Sequence, residues 1–180
     1  MELQYQDILL RNAEEKDAAQ LAAWWNDGAV MAHAGFPLGL GITPEKIAAD
    51  IASDSDSTRR RMILEFREKP VGEMSFRILP DGSAEIGIKI CEKAYQERGI
   101  GRIALSMLIR ALFDRGCGRI ILDTNLNNTR AQHVYERLGF QKTGVRRDAW
   151  IDQLGRPQSA VDYELTLDRF IDYTLSARRA

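Results

Sequence analysis

A glycine-containing segment near the middle of the sequence could bind a phosphate group. The segment is Gln96-Glu97-Arg98-Gly99-Ile100-Gly101, and it lies between an alternating apolar run, 84–90, and a long amphipathic run that begins at Arg102. A helix that starts at such a segment directs its free main-chain N–H groups at one point, where the helix dipole also favours negative charge. The segment therefore predicts a phosphate or pyrophosphate site at the start of a helix.

A second cluster, 128–140, carries polar side chains at helical spacing. Asn128 and Tyr135 are seven residues apart, which is two helical turns, and the small Ala131 lies between them. The three residues can therefore share one face of a helix. We expect that face to line the groove into which the glycine segment points.

The glycine segment also fits a dinucleotide-binding fold. Gly99, Gly101 and Ala104 satisfy its G-x-G-x-x-A fingerprint, and Asp123 stands near the distance expected for a ribose contact. In that fold, however, the strand turns almost directly into the glycines, whereas a polar connection, 91–98, separates them here. Too few residues follow Asp123 for the remaining βα units. The dinucleotide interpretation is therefore the weaker one.

The pattern of elements predicts an α/β domain with a mixed, mostly antiparallel sheet flanked by helices. The segments 62–67, 71–79 and 84–90 are joined by short turns and should form an antiparallel meander. The apolar run Ile120-Ile121-Leu122 is typical of a strand buried on both faces, which indicates parallel pairing after a crossover helix. Further strands are expected at 7–11, 119–123, 140–147 and 160–167, helices at 17–25, 44–52, 102–115 and 128–138, and a substrate-side loop at 29–42.

The two motifs together resemble those of the GNAT superfamily of acetyl-CoA-dependent N-acetyltransferases. They are Gln-x-x-Gly-x-Gly at 96–101 and, after a helix and a strand, Asn-x-x-Ala-x-x-x-Tyr-x-x-x-Gly-Phe at 128–140. The segment Trp24-Trp25-Asn26-Asp27 and the spacing from strand to glycines are most similar to the ribosomal-protein N-acetyltransferase (RimJ/RimL-like) branch. The resemblance covers nearly the whole chain and implies a single N-acetyltransferase (GNAT) domain over 1–180.

The resemblance implies acetyl-CoA as the cofactor. The main chain at 96–102 would hold its pyrophosphate, and the strand edge at 88–90 would pair with the amides of the pantetheine arm. Asn128 would reach the same arm. The predicted cofactor-binding residues are Ile88, Lys89, Ile90, Gln96, Glu97, Arg98, Gly99, Ile100, Gly101, Arg102, Asn128, Ala131 and Tyr135.

The resemblance also implies two catalytic residues, Glu85 and Tyr135. Tyr135 matches the tyrosine that the family places near the thioester sulfur, where a phenol can protonate the departing thiolate. The attacking amine must lose a proton, and Glu85 is the first candidate for the general base. It lies eleven residues before Gln96, the offset at which members with a carboxylate base carry it. Glu73 is a possible substitute, and some members use water or a backbone carbonyl.

The expected acceptor is a primary amine: a protein N-terminal α-amine, or a small molecule such as a polyamine or an aminoglycoside. The carboxylates of Asp27, Glu73 and Glu85 could attract such a cation. Of the two adjacent tryptophans, only one can face the sheet squarely, so the pair is expected to divide between core and acceptor pocket. The predicted substrate-binding residues are Trp24, Trp25, Asn26 and Glu73. The alternative from another class is a noncatalytic acyl-CoA-binding sensor.

Composition bounds the remaining possibilities. A chain of 180 residues with 44% hydrophobic side chains can bury one sizeable core, and a net charge of -1 argues against nucleic acid as a partner. The sequence has no signal pattern, no long apolar run and only two cysteines, Cys91 and Cys117. These features favour the cytoplasm and argue against a membrane partner.

No metal is expected, because neither histidine has partners at metal spacing. The run 168–180 could pack on the sheet or on a second subunit, as in a homodimer.

Overall fold

The computed structural model describes residues 1–175, in which eight strands form one mixed sheet. The strands are β1 (Glu2–Tyr5), β2 (Ile8–Asn12), β3 (Arg59–Phe66), β4 (Lys69–Ile78), β5 (Ser83–Ile90), β6 (Arg119–Asn125), β7 (Gln141–Ile151) and β8 (Pro157–Leu165). The helices are α1 (Ala18–Trp25), α2 (Gly28–Met31), α3 (Pro44–Ala52), α4 (Ile100–Asp114) and α5 (Thr129–Arg137). Short 3-10 turns lie at Glu15–Asp17, Ala32–Ala34, Lys93–Tyr95 and Leu167–Arg169.

The spatial order of the strands is β1-β2-β3-β4-β5-β6-β8-β7, and β5 with β6 is the parallel pair among them. The meander β3-β4-β5 is antiparallel, as the sequence predicts. The strand after α4 pairs in parallel, which confirms the crossover. The fold class, an α/β domain with a mostly antiparallel sheet, is confirmed.

Helices pack on both faces of the sheet because the strands alternate apolar side chains between the faces. Met74 and Phe76 of β4 share a buried cluster with α4, and Tyr135 of α5 belongs to the same cluster. Ile63 of β3 and Cys91, which follows β5, share the opposite cluster with α1 and α3. The helices α4 and α5 therefore cover one face, and α1 and α3 cover the other.

Two local elements differ from the sequence prediction. The strand β1 was not expected, because its exposed Glu2 and Gln4 give only a weak apolar alternation; it forms by pairing with β2 across a tight turn. The expected loop 29–42 contains α2 and the 3-10 turn Ala32–Ala34. The Asp27 side chain caps α2 by accepting a 2.7 Å hydrogen bond from the Ala29 main chain, and burial of Met31 anchors it.

The C-terminal run packs against α4 as far as the structure describes it. Phe170 lies against Phe113, with ring centroids 5.9 Å apart, and Asp172 accepts a 3.1 Å hydrogen bond from Arg110 Nε. The last part of the predicted run, 176–180, lies outside the described residues. Within residues 1–175, no helix has the length and apolar character needed to cross a membrane.

Candidate active site

The parallel strands β5 and β6 separate soon after they meet, and a cleft opens between them. They pair over three residues, 83–85 against 119–121. Beyond that point, residues 86–90 and 123–125 form opposite walls of a cleft of about 970 Å³. The main chain of β5 on this side therefore has no strand partner and is free to bond with a ligand.

The cleft runs through the sheet from one face to the other. On the face covered by α4 and α5, it is lined by the start of α4 and by Asn128, Ala131 and Tyr135. On the opposite face, its lining includes Ala29 and Val30 of α2 and His33 and Ala34 of the following turn. A ligand lying in the cleft can therefore present one end to each face.

The glycine segment forms a cluster of free donors at one end of the cleft. Gly99 takes the left-handed conformation, with φ +78°, and begins α4. The main-chain N–H groups at 97–102 have no hydrogen-bond acceptor among the described residues. Such consecutive free N–H groups at a helix start suit an anion. The geometry therefore agrees with the phosphate site that the sequence predicts.

Side chains of the segment make contacts with neighbouring residues. Gln96 Nε2 donates a 2.9 Å hydrogen bond to the Ile90 carbonyl at the end of β5, and its Oε1 accepts one of 3.2 Å from Arg130 Nη2. Arg130 also pairs with Glu97 at 3.4 Å. Arg98 lies outside the cleft lining, with its guanidinium 5.5 Å from the centre of the Tyr95 ring. The part of these residues that remains free for a cofactor is the main chain.

Arg102 provides the observation that tests the fit of a phosphate-bearing ligand. Its side chain lines the cleft, and its Nε atom is buried without a hydrogen-bond acceptor in residues 1–175. A buried donor left in this state costs about 1–3 kcal/mol, which an anion from a ligand would recover. The donor set therefore fits the phosphates of coenzyme A.

Tyr135 lies in the cleft wall with its ring fixed and its hydroxyl unbonded to any described residue. The side chain is 7% exposed, and its ring contacts Phe140 edge-on at 5.8 Å and Tyr163 at 5.9 Å. Burial, with a smaller contribution from Asp123, raises the pKa of Tyr135 to about 12. The phenol therefore keeps its proton at neutral pH and can donate it.

Asn128 caps α5. Its Oδ1 accepts a 3.2 Å hydrogen bond from the Ala131 main chain. No described residue accepts a hydrogen bond from its Nδ2 group, and Asn128 lines the cleft. The sequence-predicted Asn128, Ala131 and Tyr135 therefore do lie together on the cleft wall.

The four predicted substrate-binding residues make internal contacts and do not line the cleft. Trp24 is buried and donates from Nε1 to Glu92 at 2.9 Å, because its face of α1 packs into the core. Trp25 donates from Nε1 to Glu73 Oε1 at 2.8 Å. Asn26 forms two 2.9 Å bonds with the Ile42 main chain.

Glu73 is buried, and one of its carboxylate oxygens accepts hydrogen bonds from two donors. Besides Trp25, its Oε1 accepts a 2.9 Å bond from the Lys89 ammonium, which lines the cleft. Burial lowers the pKa of Lys89, but the Glu73 carboxylate outweighs that effect, so the pKa is raised. Lys89 is therefore a fixed cation in the wall, neutralised by Glu73.

Glu85 lies in a small groove that continues the cleft. The groove has a volume of about 210 Å³ and shares Ile86, Gly87 and Asp123 with the cleft lining. Glu85 pairs there with Arg77 at 2.5 Å and keeps 40% of its side chain exposed. It is thus outside the cleft itself but reaches its edge through the groove.

The sequence also predicts a late polar hairpin, which includes Trp150 and Gln153 and would face the acceptor opening. Trp150 of β7 lines the cleft, and its buried Nε1 has no hydrogen-bond partner among the described residues. It packs so closely on Gly35 that a Cβ there would lie 2.8 Å from Nε1. Gln153, in the following turn, bonds to the Leu38 main chain at 2.9 Å and to the Gly39 carbonyl at 2.8 Å. The predicted polar hairpin therefore holds the loop beside the cleft.

Neither a metal nor a reactive thiol is indicated in the described part of the chain. No group of three or more His, Cys, Asp and Glu side chains within residues 1–175 could hold a metal ion. Cys91 is buried, and burial together with the nearby Glu73 raises the pKa of its thiol far above the usual range. Cys91 is therefore unsuited to act as a nucleophile.

Comparison with known proteins assigns the chain to a family. The model of the acetyltransferase (GNAT) domain matches residues 7–141. No curated protein matches the sequence. Spermidine N-acetyltransferase from Vibrio cholerae, solved with CoA and spermine, superposes with a TM-score of 0.80 at 22% identity, covering 92% of this chain and 98% of that one.

Two further solved structures share the fold. The ribosomal L7/L12 alpha-N-protein acetyltransferase RimL, in complex with coenzyme A, has a TM-score of 0.79 at 18% identity and covers 94% of this chain and 99% of its own. The acetyltransferase yncA from Salmonella typhimurium, with its cofactor acetyl-CoA, has a TM-score of 0.75 at 20% identity, covering 90% and 95%. This chain belongs to the GNAT acetyltransferase family. The predicted enzyme class and cofactor, acetyl-CoA, are confirmed.

Replacing Gly99 by alanine is expected to lower the free energy of unfolding by about 1–2 kcal/mol, because a Cβ is strained in the left-handed conformation. Gly101→Ala is the matched control. A Cβ there would make only ordinary contacts with Ile88 and Ile90, and alanine favours a helix by roughly 0.5–1 kcal/mol. Urea denaturation measures both variants. Equal stabilities would contradict the left-handed start of α4.

Proposed function

We propose that the protein transfers the acetyl group of acetyl-CoA directly to a primary amine that approaches from the face covered by α1 and α3. The observation that carries this proposal is the cleft through the sheet. At one end it has free main-chain N–H groups that can bind phosphate, and Tyr135 lies in its wall. A ligand held at its phosphates on one face can thus present a reactive group toward the other face.

The residues of the chain divide into those that bind and those that move protons. The free N–H groups at 97–102 and Arg102 would hold the pyrophosphate, and the unpaired edge of β5 at 88–90 would bond to the pantetheine amides. Asn128 Nδ2 would donate to the same arm. When bound, acetyl-CoA supplies an acetyl group activated as a thioester, so no covalent intermediate on the protein is needed.

Tyr135 is the proposed general acid. Its raised pKa, about 12, keeps the phenol protonated across the neutral range, and its hydroxyl makes no competing bond to a described residue. The ring is held by Phe140 and Tyr163, which limits its rotation. These features suit a group that protonates a thiolate as it leaves.

Glu85 is the proposed general base, acting through water. It lines the groove that opens into the cleft, and both Glu85 and its partner Arg77 are solvent-exposed, whereas Glu73 is buried and accepts from Trp25 and Lys89 on one oxygen. The Glu73 carboxylate is thus occupied by two donors, and Glu73 does not line the cleft. Glu73 is therefore better suited to position Lys89 and Trp25 than to accept a proton.

The acceptor is proposed to be a protein N-terminal α-amine or a small-molecule amine. Solved structures with this fold include an acetyltransferase of spermidine and one of the ribosomal protein L7/L12, and the second supports the proposed RimJ/RimL-like branch. Asp123, at the junction of groove and cleft, shares the Arg146 guanidinium with Asp162, so this group of two carboxylates and one cation keeps a net negative charge toward an incoming ammonium. The free cysteines support a cytoplasmic location.

An amine screen tests the proposed function. The protein is mixed with acetyl-CoA and with peptides or small amines, release of the CoA thiol is followed optically, and the product is identified by mass spectrometry. Thiol release that depends on an amine supports the proposal. Calorimetric binding of acetyl-CoA without thiol release from any amine would instead support a noncatalytic acyl-CoA sensor.

Tyr135→Phe is expected to lower kcat by about 10²-fold or more, since the proton donor is lost. The KM for acetyl-CoA should change little, because the ring remains. Tyr163→Phe is the matched control. It removes a buried hydroxyl that donates to Glu136 at 3.0 Å, so it should cost about 1 kcal/mol of stability and leave kcat intact. A wild-type kcat in Tyr135→Phe would rule out the acid role.

Glu85→Gln is expected to lower kcat/KM for the amine by roughly 10²- to 10⁴-fold at neutral pH. The loss should shrink as the pH approaches the pKa of the amine, because the free base then needs no proton acceptor. Glu73→Gln is the comparison variant. It should cost about 1–3 kcal/mol of stability, since Lys89 loses its counter-charge, and should show no alkaline recovery. Alkaline recovery in Glu73→Gln alone would assign the base to Glu73.

A further inference from the structure

The end of the described chain runs along α4 from Phe113, near the end of the helix, to Arg102 in its first turn, which lines the cleft. We call residues 170–174 the C-terminal segment. Phe170 packs on Phe113, and Asp172 pairs with Arg110 at 3.1 Å. The Tyr173 main chain donates a 3.2 Å hydrogen bond to the hydroxyl of Ser106, which is fully buried. The segment is therefore fixed on α4 by contacts of three kinds.

The Tyr173 side chain connects α4 with α5. Its ring lies 4.2 Å from the Arg102 guanidinium carbon, measured to the ring centroid, which is a close cation–π contact. Its hydroxyl donates a 3.2 Å hydrogen bond to the Arg137 carbonyl. The ring is thus held at its far end by α5 while its face supports Arg102. This arrangement restricts the guanidinium to one position at the cleft.

Arg102 differs from the other arginines at this end of the cleft. Arg130 is paired with Glu97, and Arg137 donates from Nε to His133 at 3.0 Å. Arg102 has no acidic partner within residues 1–175, and its buried Nε has no acceptor. Within the described residues, its guanidinium lies over the Tyr173 ring. A cation held by an aromatic face, rather than by a carboxylate, keeps its N–H groups available for an anion.

We propose that Tyr173 is a positioning residue that holds Arg102 against a phosphate group of coenzyme A. The C-terminal segment then belongs to the cofactor site, together with the free N–H groups at 97–102. The proposal depends on coenzyme A binding and not on the identity of the acceptor amine. It also gives a role to the contact of Tyr173, which is far from the glycine motif in sequence, with the first turn of α4.

Calorimetric titration with CoA tests the proposal. Tyr173→Leu should weaken binding roughly threefold to thirtyfold, the range that a partly desolvated cation–π contact spans. Tyr173→Phe keeps the ring and loses the bond to Arg137, so it should bind CoA within about twofold of the wild type. Ile171→Ala is the matched control, because this side chain of the same segment is 51% exposed. Thermal unfolding of each variant verifies the fold.

Three further measurements distinguish a role in positioning Arg102 from a general loss of protein stability. In an Arg102→Gln background, Tyr173→Leu should have no added effect on CoA binding. With acetyl-CoA as varied substrate, Tyr173→Leu should raise KM and leave kcat unchanged. S-acetylpantetheine, which has no pyrophosphate or 3′-phosphate, should be used equally well by Tyr173→Leu and the wild type.

The results can also overturn the proposal. Wild-type affinity in Tyr173→Leu, additive losses in the double variant, or a loss as large in Tyr173→Phe as in Tyr173→Leu would each do so. Dephospho-CoA identifies the phosphate concerned. If Tyr173→Leu weakens the binding of dephospho-CoA as much as the binding of CoA, Arg102 contacts the pyrophosphate. If it weakens only the binding of CoA, Arg102 contacts the ribose 3′-phosphate.

Discussion

The structure depends on where the pairing between β5 and β6 stops. Paired strands lie about 4.8 Å apart, which leaves no room for a ligand between them. Here β5 remains paired with β4 as far as Ile90, and β6 remains paired with β8 as far as Asn125. The pairing between β5 and β6 themselves ends at Glu85, where the two strands separate. That separation creates the cleft, frees one edge of β5 and joins the two faces of the sheet. The phosphate donors, Tyr135 and the groove around Glu85 all acquire their roles from their positions along this opening.

Many polar residues near the cleft stabilise its walls and do not face its interior. Glu73 receives both the Trp25 indole and the Lys89 ammonium, and Gln96 ties the glycine segment to the end of β5. On the other side, Gln153 joins the β7–β8 turn to the loop that carries α2. Their common effect is rigidity, since a binding site works best when its donors are held in place before the ligand arrives.

Local chemistry explains which parts could be predicted from the sequence. The helix start at the glycine segment and the asparagine cap of α5 depend on a few consecutive residues, so the motifs indicate them directly. The partner of Glu85 could not be predicted, because Arg77 meets it only through the strand register. The sequence also could not show that Trp24, and not Trp25, is the buried tryptophan, because this follows from how α1 packs. The contact of Tyr173 with Arg102 joins distant parts of the chain and has no sequence signal.

The three tryptophans differ in what their indole N–H groups meet, and that difference gives the protein an optical property. Trp24 and Trp25 are bonded to Glu92 and Glu73, so their surroundings are set by the fold. Trp150 lines the cleft with its N–H unbonded to any described residue. Indole emission responds to the polarity and hydrogen bonding around the ring. Trp150 is therefore the indole of the three whose fluorescence we expect to change when a ligand enters the cleft.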